Sequence, residues 1–559
     1  MWVDIPDSEE PLWEPPDDET LENAEVLDAV NARYGGVLER VFGLKSFRPN
    51  QAQAISKTMD GQDVLVLMPT GSGKSLCYQL PAVVESESEN KITIVISPLL
   101  ALINDQVQAL TAKGIYAETD LTHDMLAGKR PALVYMTPEK LAYASTLHHF
   151  YQARALARFA VDEAHCISIW GAEFRETYRK LDVLRRDFPG VPIMALTSTA
   201  TSKNLADIIN HLGLRSPHEI RQSLNRQNLT YAILQKRPHE ALKDIVKFIT
   251  NKGLLSRSGI IYRTKRRQCE NLAKLLRKRG IAAAAYHGGM PTAKRNLVQS
   301  KWMRGQYRVI VATIAFGMGV DKADVRYVVH FDLPRSIENY YQETGRAGRD
   351  GKPAECILYY SYRDLKGILD LAQKDNSSVA SYLAVRRSTM EMVQYCEEKA
   401  QCRRRLLLAH FGENLTEDRC DTSSCCTNCA NAKLCVTKDM ACEARAAVAL
   451  FRSLMGEGNI TVNQLISVFR ALKNVDTRKN GRNKKALYGA GKHLSQERAE
   501  LLFDQLLYRR VFEEIKIATV ISRYGAYYLK VVSFLNLPVR HNADTQLRTV
   551  VGSESRRAS

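Results

Sequence analysis

The sequence predicts an α/β protein with two parallel sheets in tandem, followed by a helical segment and a smaller mixed unit. From Val37 to about Asn225, short apolar runs such as DVLVLM, ITIVIS and RFAVDEA alternate with amphipathic stretches. This alternation is typical of strands buried in a parallel sheet. It begins again after Asn225 with GIIY, RVIVAT, VRYVVHF and AECILYYS. Two α/β units of similar size imply a cleft between them.

The charge of the chain is unevenly distributed. The 559 residues carry a net +18, but residues 1–33 hold eleven acidic residues and only one base, Arg33. That segment is therefore −10 and the remainder is +28. So basic a body favours a polyanionic partner, and nucleic acid is a better candidate than a membrane because no run of 18 apolar residues occurs.

Length and cysteine usage narrow the class of protein further. A chain of 559 residues exceeds one hydrophobic core, so three or four domains are expected. The start, MWVDIPDSEE, does not have the order of a secretory signal, which predicts an intracellular, reducing location. Eight of the twelve cysteines fall between Cys396 and Cys442, which indicates a local metal site rather than a disulfide framework.

The segment MPTGSGKS, Met68 to Ser75, has the context of a phosphate-binding loop. It follows an apolar strand and precedes a helix-like stretch. Backbone N–H groups and the helix dipole would hold the phosphates, Lys74 would neutralise them, and the Ser75 hydroxyl would bind Mg²⁺. The residues predicted to bind the nucleotide here are Thr70, Gly71, Ser72, Gly73, Lys74 and Ser75.

Two further motifs supply the chemistry that a phosphate loop lacks. The strand in FAVDEAHCIS ends in adjacent carboxylates: Asp162 is predicted to hold Mg²⁺, and Glu163 to orient or deprotonate the attacking water. In the second unit, QETGRAGRDG begins with Gln342 and contains Arg346 and Arg349. A GRAGR run alone is more often an exposed basic loop, but beside the other two motifs it indicates an arginine finger.

Together these segments resemble the superfamily-two helicases, and in detail the RecQ family. FGLKSFRPNQAQAI is similar to the family's adenine-reading motif, with Arg48 and Gln51 at its functional positions. MPTGSGKSLCYQLPA, ISPLLALINDQV, DEAHCISIWGAEFR, LTSTAT, YHGGM and VATIAFGMGVDKADVRYVVHFDLP follow in the family's order, over about residues 36–535. The resemblance implies two RecA-like domains, a zinc-binding domain, a winged-helix domain, and ATP-dependent 3′ to 5′ unwinding of DNA.

Composition and the pattern of apolar runs, together with the resemblance, predict the domain boundaries. They are an acidic flexible arm (1–35), RecA-like lobe 1 (36–225), RecA-like lobe 2 (226–364), a helical zinc-binding domain (365–435), a winged-helix domain (436–535) and a disordered tail (536–559).

An aromatic-rich loop follows the two carboxylates. By the resemblance, Trp170, Phe174 and Arg175 link single-stranded DNA to ATP hydrolysis, and a base can stack on either ring. The isolated string WGAEF would be more typical of core packing, and the preceding carboxylates are what favour the DNA role. His287, in YHGGM, is a further candidate for contact with DNA.

This chain departs from the family pattern in and near that loop. Ile169 and Ala172 stand where the family usually has a glutamine or asparagine and a histidine. Glu176 and Thr177 replace a Pro-Asp pair, and Ser198 replaces an alanine. Two hydrogen-bonding groups are lost, so altered coupling between DNA and the ATPase is expected.

The cysteine cluster is similar to the zinc-binding pattern of the family. Cys402, Cys420, Cys426 and Cys429 are assigned as four thiolate ligands of a structural Zn²⁺, with Cys425 as an alternative to Cys426. The C-terminal unit resembles the family's winged-helix domain.

Three residues of the C-terminal unit are candidates for DNA contact. The basic run RKNGRNKK places Lys484 and Lys485 for phosphate contact, although such runs are usually solvated loops. Tyr524, near the turn of a late hairpin, is a candidate wedge against a base pair, and an exposed tyrosine without a role is almost as common.

The main functional hypothesis is a DNA helicase with ATP, Mg²⁺ and Zn²⁺ as cofactors and single-stranded, forked or branched DNA as partner. Its alternatives are a DNA-bound ATPase, translocase or annealing protein with weak unwinding, a non-catalytic DNA-binding scaffold, and an RNA helicase. Protein partners in repair or recombination are expected. The location is expected to be the nucleus in a eukaryote and the cytoplasm otherwise.

Overall fold

The computed structural model describes residues 18–98, 100–141, 145–168, 176–236, 240–251, 253–317, 322–374, 379–415, 425–431, 435–455, 459–472, 479–509, 511–519, 522–531 and 548–552. The chain divides into two compact units, Met1–Ala430 and Asn431–Ser559.

The first sheet of the larger unit is parallel in every described pairing, with the strand order β3-β4-β2-β5-β6-β1-β7. Its strands are β1 (Val64–Leu67), β2 (Ile92–Ile96), β3 (Ala117–Glu118), β4 (Leu133–Met136), β5 (Leu156–Val161), β6 (Ile193–Thr197) and β7 (His218–Arg221). The helices around it are α1 (Asp18–Val37), α2 (Pro49–Met59), α3 (Leu76–Glu89), α4 (Leu100–Thr111), α5 (Pro138–Leu141), α6 (Thr146–Gln152), α7 (Val183–Asp187) and α8 (Ser202–Leu212).

The second sheet is also parallel, with the order β10-β11-β9-β12-β13-β8. Its strands are β8 (Leu229–Gln235), β9 (Ser258–Tyr262), β10 (Ala283–Tyr286), β11 (Val309–Ala312), β12 (Val325–His330) and β13 (Ala354–Tyr360). Its helices are α9 (Ala241–Asn251), α10 (Arg266–Arg277), α11 (Thr292–Met303) and α12 (Ile337–Thr344).

Burial explains why both sheets read as continuous apolar runs in the sequence. Every residue of β1, β2 and β5 is buried. The side chains of these strands alternate between two separate apolar cores, one on each face of the first sheet. Parallel strands covered on both faces lack the apolar–polar alternation of half-exposed strands.

A helical segment completes the larger unit. It contains α13 (Arg363–Lys374), α14 (Val379–Glu397), α15 (Arg403–His410) and α16 (Thr427–Asn431). The smaller unit contains β14 (Cys435–Asp439), α17 (Ala441–Leu454), α18 (Val462–Phe469), α19 (Gln496–Tyr508), β15 (Phe512–Thr519), β16 (Ser522–Val531) and β17 (Arg548–Gly552). β15 and β16 form the expected late antiparallel hairpin.

Two expectations about the ends of the chain are wrong for part of their range. Residues 18–35 were expected in a flexible arm, but they belong to α1, because Val30 and Tyr34 lie one turn apart and are buried against α2. Residues 548–552, expected in a disordered tail, form β17, which pairs antiparallel with β14. Residues 1–17 lie outside the described residues, and the other domain boundaries stay predictions.

No helix within the described ranges is long and apolar enough to cross a membrane.

Candidate functional site

The phosphate loop lies between β1 and α3, as its sequence context predicts. Gly71 and Gly73 have φ angles of 85° and 88°, a region that side chains other than glycine rarely adopt. A Cβ on Gly73 would lie 2.3 Å from the Gln51 side-chain nitrogen. These two glycines therefore give the loop its curvature and allow Gln51 to approach.

Arg48 and Gln51 contact the phosphate loop directly. Gln51 Nε2 donates to the Gly73 carbonyl at 3.1 Å, and an Arg48 guanidinium nitrogen donates to the Ser72 carbonyl at 2.8 Å. Arg48 caps the start of α2, where its backbone N–H donates to Gln51 Oε1 at 3.0 Å. The predicted adenine-reading residues thus border the predicted phosphate site.

Lys74 is folded onto the carbonyls of its own loop. Its Nζ donates to Met68 O at 2.7 Å and to Pro69 O at 3.2 Å. Burial lowers the pKa of Lys74, and the charges of Glu163 and Asp162 offset part of that shift. An anionic phosphate would compensate the buried ammonium better than neutral carbonyls do.

The carboxylates of Asp162 and Glu163 follow the end of β5. Burial and the charge of Glu163 raise the pKa of Asp162 to about 7. Glu163 has a φ of 50°, and its Oε2 lies 3.4 Å from His165 Nδ1. This partly buried pair of carboxylates offers the oxygen ligands that Mg²⁺ prefers, and a divalent cation would relieve their repulsion.

Arg346 and Arg349 lie in the turn after α12. Arg346 is buried and donates to the Gly317 carbonyl within the second lobe. Arg349 packs on the phosphate loop, because a Cβ on Gly71 would lie 3.3 Å from Arg349 Cγ. Gln342, on α12, is buried as well. The turn of the second lobe therefore faces the nucleotide loop of the first.

The four thiols that the structure brings together differ in one member from the sequence assignment. Cys402, Cys425, Cys426 and Cys429 have their sulfurs within 4.8 Å of one another. The Cys402–Cys425 and Cys426–Cys429 sulfur separations are 3.7 and 3.5 Å, close to the roughly 3.8 Å of a tetrahedral zinc thiolate site. Among the described thiols, Cys425 completes a donor set that fits Zn²⁺, and Cys420 lies outside the described residues.

Three of the candidate DNA-binding residues belong to the aromatic-rich loop. Trp170, Phe174 and Arg175 lie outside the described residues, as do Ile169 and Ala172.

His287 is buried, and its Nε2 lies 3.2 Å from Glu270 Oε1. Lys484 is exposed in a 3₁₀ helix, and Lys485 follows it and is partly exposed. Tyr524 is part of β16, with its side chain outside the described part. Their roles in contact with DNA stay predictions.

Of the remaining departures from the family pattern, Ser198 has a defined environment. Its side chain is buried, and its hydroxyl has no hydrogen-bond partner within the described residues. Glu176 and Thr177 begin a 3₁₀ helix over Glu176–Asp182. A methyl group would suit the Ser198 position as well as a hydroxyl does.

Sequence reasoning missed two groups of charged residues. One is an ionic cluster at the carboxyl edge of the second sheet, where Lys236 Nζ lies 2.6 Å from Asp332 and Arg263 Nε 2.9 Å from the same carboxylate. The other is Arg226, between the two lobes. Spacing gave no signal for either, because their partners are about 70 to 160 residues away along the chain.

Four family models match consecutive parts of the chain. They are DEAD/DEAH box helicase over residues 48–208, helicase conserved C-terminal domain over 240–351, RecQ zinc-binding over 362–430 and RQC domain over 435–540. Fold, nucleotide cleft and the first two models together place the chain in the class of DEAD/DEAH-type helicases, whose ligands are ATP and Mg²⁺. The third model covers the cysteine cluster, in agreement with Zn²⁺.

Comparison with curated proteins defines the family. The chain is 41% identical to the ATP-dependent DNA helicase hus2/rqh1 of Schizosaccharomyces pombe, over 86% of this chain and 37% of that protein. It is 41% identical to the RecQ-like DNA helicase BLM of Xenopus laevis, over 88% of this chain and 38% of that protein. It is 38% identical to the ATP-dependent DNA helicase RecQ of Pasteurella multocida, over 86% of this chain and 74% of that protein.

The chain therefore belongs to the RecQ family of helicases, as the sequence motifs predicted. It spans less than half the length of the two eukaryotic relatives. A DNA-bound structure of the DUF1998 helicase MrfA shares the fold, with a TM-score of 0.50 at 17% identity over 70% of this chain and 60% of that one. The predicted fold class is confirmed, and the roles of single residues stay predictions.

Proposed function

We propose that the chain is an ATP-dependent DNA helicase of RecQ type that unwinds duplex, forked or branched DNA with 3′ to 5′ polarity. The observation that carries this is one cleft in which a phosphate loop, the carboxylates of Asp162 and Glu163, and Arg349 of the opposite lobe meet. Membership of the RecQ family supports DNA as the substrate.

In this proposal the first lobe binds and activates the nucleotide. Arg48 and Gln51 exchange their loop carbonyls for the adenine, and Lys74 exchanges its carbonyls for phosphate oxygens. Ser75 and Asp162 would hold Mg²⁺, which would supply charge neutralisation at the phosphates. Glu163 orients the attacking water and accepts its proton.

The second lobe completes the site. Arg346 and Arg349 stabilise the charge that develops on the transferred phosphoryl group, and Gln342 lies on the helix that leads to them. Trp170, Phe174 and Arg175 are proposed to hold a strand beside the site. His287, Lys484, Lys485 and Tyr524 are proposed to contribute DNA contacts elsewhere in the chain.

We infer a role in replication, recombination or repair, with protein partners from those processes. This role places the protein in the nucleus of a eukaryote and in the cytoplasm of a bacterium.

Strand displacement tests the proposed function. Forked duplexes with a single 3′ or 5′ tail are mixed with the wild type or with Lys74→Ala, and separation is followed by fluorescence. We expect ATP-dependent separation of the 3′-tailed substrate by the wild type alone. An RNA duplex of the same sequence serves as a substrate control, and we expect it to stay paired.

Two other outcomes point to other functions. ATP hydrolysis without strand separation would identify a DNA-bound ATPase, translocase or annealing protein, in line with the altered residues Ile169 and Ala172. DNA binding without hydrolysis would identify a scaffold.

A further inference from the structure

The segment that joins the two lobes contains an arginine with an unusual set of partners. Residues 222–228, here called the interlobe linker, run from β7 of the first sheet to β8 of the second. Arg226 lies within it and is partly buried. None of the motifs assigned to ATP binding or hydrolysis includes this residue.

The guanidinium of Arg226 contacts residues of both lobes. Its Nη2 donates to Ala347 O at 3.0 Å and to Gly348 O at 2.8 Å, in the turn that carries Arg346 and Arg349. Its Nη1 lies 3.4 Å from Gly345 O in the same turn and 3.5 Å from Thr70 O in the phosphate loop.

The unequal distances indicate how Arg226 acts. The hydrogen bonds from Nη2 to Ala347 and Gly348 have ordinary lengths, whereas the distance to Thr70 is at the upper limit for a hydrogen bond. Arg226 is therefore firmly attached to the arginine turn of the second lobe. Its weak contact with the phosphate loop is the one that can form or break as the cleft closes or opens.

Asn228 fastens the same turn at a second point. Its Nδ2 donates to Gly348 O at 2.8 Å and to Lys352 O at 2.9 Å. Gly348 has a φ of 56°, and a Cβ there would lie 2.4 Å from Asn228 Nδ2. The turn thus has a glycine where the linker approaches most closely.

Helix α15, next to the cysteine cluster, and Glu413 just after it hold the linker on both sides of Arg226. Glu413 accepts the Leu224 N–H at 2.7 Å and a hydrogen bond from the Ser223 hydroxyl. Arg404 donates to Gln227 O at 3.2 Å and to Leu229 O at 2.8 Å. The linker is therefore fixed by the helical segment before it reaches the arginine turn.

We propose that Arg226 is a positioning residue for ATP hydrolysis, which holds the turn of Arg346 and Arg349 against the phosphate loop. Through Glu413 and Arg404, the helical segment sets the position of the linker and thereby of that turn. The proposal rests on the proposed function, since it concerns the same ATP site. A guanidinium finger displaced by roughly 1 Å can lower a rate by about a hundredfold.

The test compares steady-state ATP hydrolysis of Arg226→Ala, Arg226→Lys and Arg221→Ala with the wild type in the presence of single-stranded DNA. Arg221 is a matched control, because it is an exposed arginine at the start of the linker that pairs with Glu219 on its own strand. We expect Arg226→Ala to lower kcat about tenfold to a hundredfold. We expect KM for ATP to change by less than about threefold, because Arg226 contacts no predicted nucleotide-binding side chain.

Arg226→Lys and Glu413→Ala separate positioning from a loss of folding. Lysine keeps one cationic donor near the carbonyls, so Arg226→Lys should retain an intermediate kcat, with Tm and zinc content unchanged. Glu413→Ala should lower kcat severalfold with its zinc content unchanged. If Arg226→Ala has a reduced Tm, the kcat of Arg226→Lys is compared with that of the wild type instead. An intermediate kcat then supports positioning.

Three results would overturn the proposal. One is a kcat of Arg226→Ala within twofold of that of Arg221→Ala. Another is a loss seen only in KM, and the third is a wild-type kcat in Arg226→Lys when Arg226→Ala is unstable. A wild type that does not hydrolyse ATP removes the proposed function itself, and this proposal with it.

Discussion

Glu163 combines a strained backbone with a buried, incompletely bonded carboxylate. Its φ of 50° lies in a region that costs a residue other than glycine about 1–3 kcal/mol. Its Oε2 has no hydrogen-bond partner within the described residues, although His165 lies 3.4 Å away. An oxygen kept available in this way suits a group that must accept a hydrogen bond and a proton from water.

Replacement of this carboxylate tests its role as the base. Glu163→Gln keeps the shape and burial of the side chain but cannot accept the proton, so ATP hydrolysis should fall by about 10²- to 10⁴-fold. Nucleotide affinity, measured with a fluorescent ATP analogue, should stay within a fewfold of wild type. The control is Glu219→Gln, which alters an exposed carboxylate of the same lobe. Hydrolysis by Glu163→Gln at the wild-type rate would exclude this role.

Among the elements, the thiol cluster links the ends of two short helices. Cys402 precedes α15, and Cys429 belongs to α16. The Arg403 N–H donates to Cys426 Sγ at 3.3 Å, which stabilises that sulfur as a thiolate. Zinc bound here would hold the two helices together.

The zinc content of single Cys→Ser variants shows which thiols bind the metal. Cys402→Ser, Cys426→Ser and Cys429→Ser should each lose zinc, because three remaining thiolates leave the tetrahedral site open. Cys442→Ser, which alters an exposed thiol, should retain it. The same measurement on Cys420→Ser and Cys425→Ser identifies the fourth ligand, which the sequence pattern assigns to Cys420 and the geometry to Cys425. Full zinc in Cys426→Ser would contradict both assignments.

The contact between α12 and α15 contains a partly buried pair of opposite charges. His410 Nε2 lies 2.8 Å from Glu338 Oε1. Burial alone would lower the pKa of His410, but the hydrogen bond and charge of Glu338 outweigh it and raise the pKa. Burial would raise the pKa of Glu338, and the bond to His410 lowers it instead. Glu391 also contributes a nearby negative charge.

The direction of these shifts fixes how the pair depends on pH. The contribution of His410 to stability is complete below its ordinary pKa of 6.5 and is lost as pH rises through its raised folded value. The contribution of Glu338 is complete above its ordinary pKa of 4.5 and is lost as pH falls through its lowered folded value. The pair therefore stabilises the folded state most between pH 4.5 and pH 6.5, where both contributions are complete.

His410→Gln should consequently destabilise the protein more at pH 6 than at pH 8.5. At pH 6 we expect a loss of about 2 kcal/mol, the size of a charge-assisted hydrogen bond. Thermal unfolding of both proteins at the two pH values measures the difference in Tm. A Tm difference that is equal at the two pH values would exclude ionisation of the pair as the source of the stabilisation.

At the scale of the whole molecule, the positive charge predicts salt-dependent binding of DNA. Outside residues 1–33 the chain carries +28. For single strands, log affinity should fall linearly with log salt, with a slope of about 0.7 for each phosphate contacted. Fluorescence anisotropy with a labelled oligonucleotide between low and moderate salt measures this slope. Affinity independent of salt would remove the electrostatic argument for the partner.

The parts of this architecture that were predictable from the sequence depend on local patterns. The buried strands β1, β2 and β5 are mostly apolar, with Thr93 and Arg158 as the exceptions, and the phosphate loop is contiguous. The apolar stripe of α1 was hidden by its acidic composition, although Val30 and Tyr34 have helical spacing. Arg226 was beyond prediction, because its partners are backbone carbonyls brought close only by the fold.

ATP hydrolysis with and without single-stranded DNA tests the central claim most directly, with Lys74→Ala as the blank. The account predicts that the wild type hydrolyses ATP, that DNA stimulates it strongly, and that Lys74→Ala hydrolyses none in either condition. Hydrolysis indifferent to DNA would contradict the coupling of the cleft to a DNA strand. Absence of hydrolysis in the wild type would contradict the account of the ATP site as a whole.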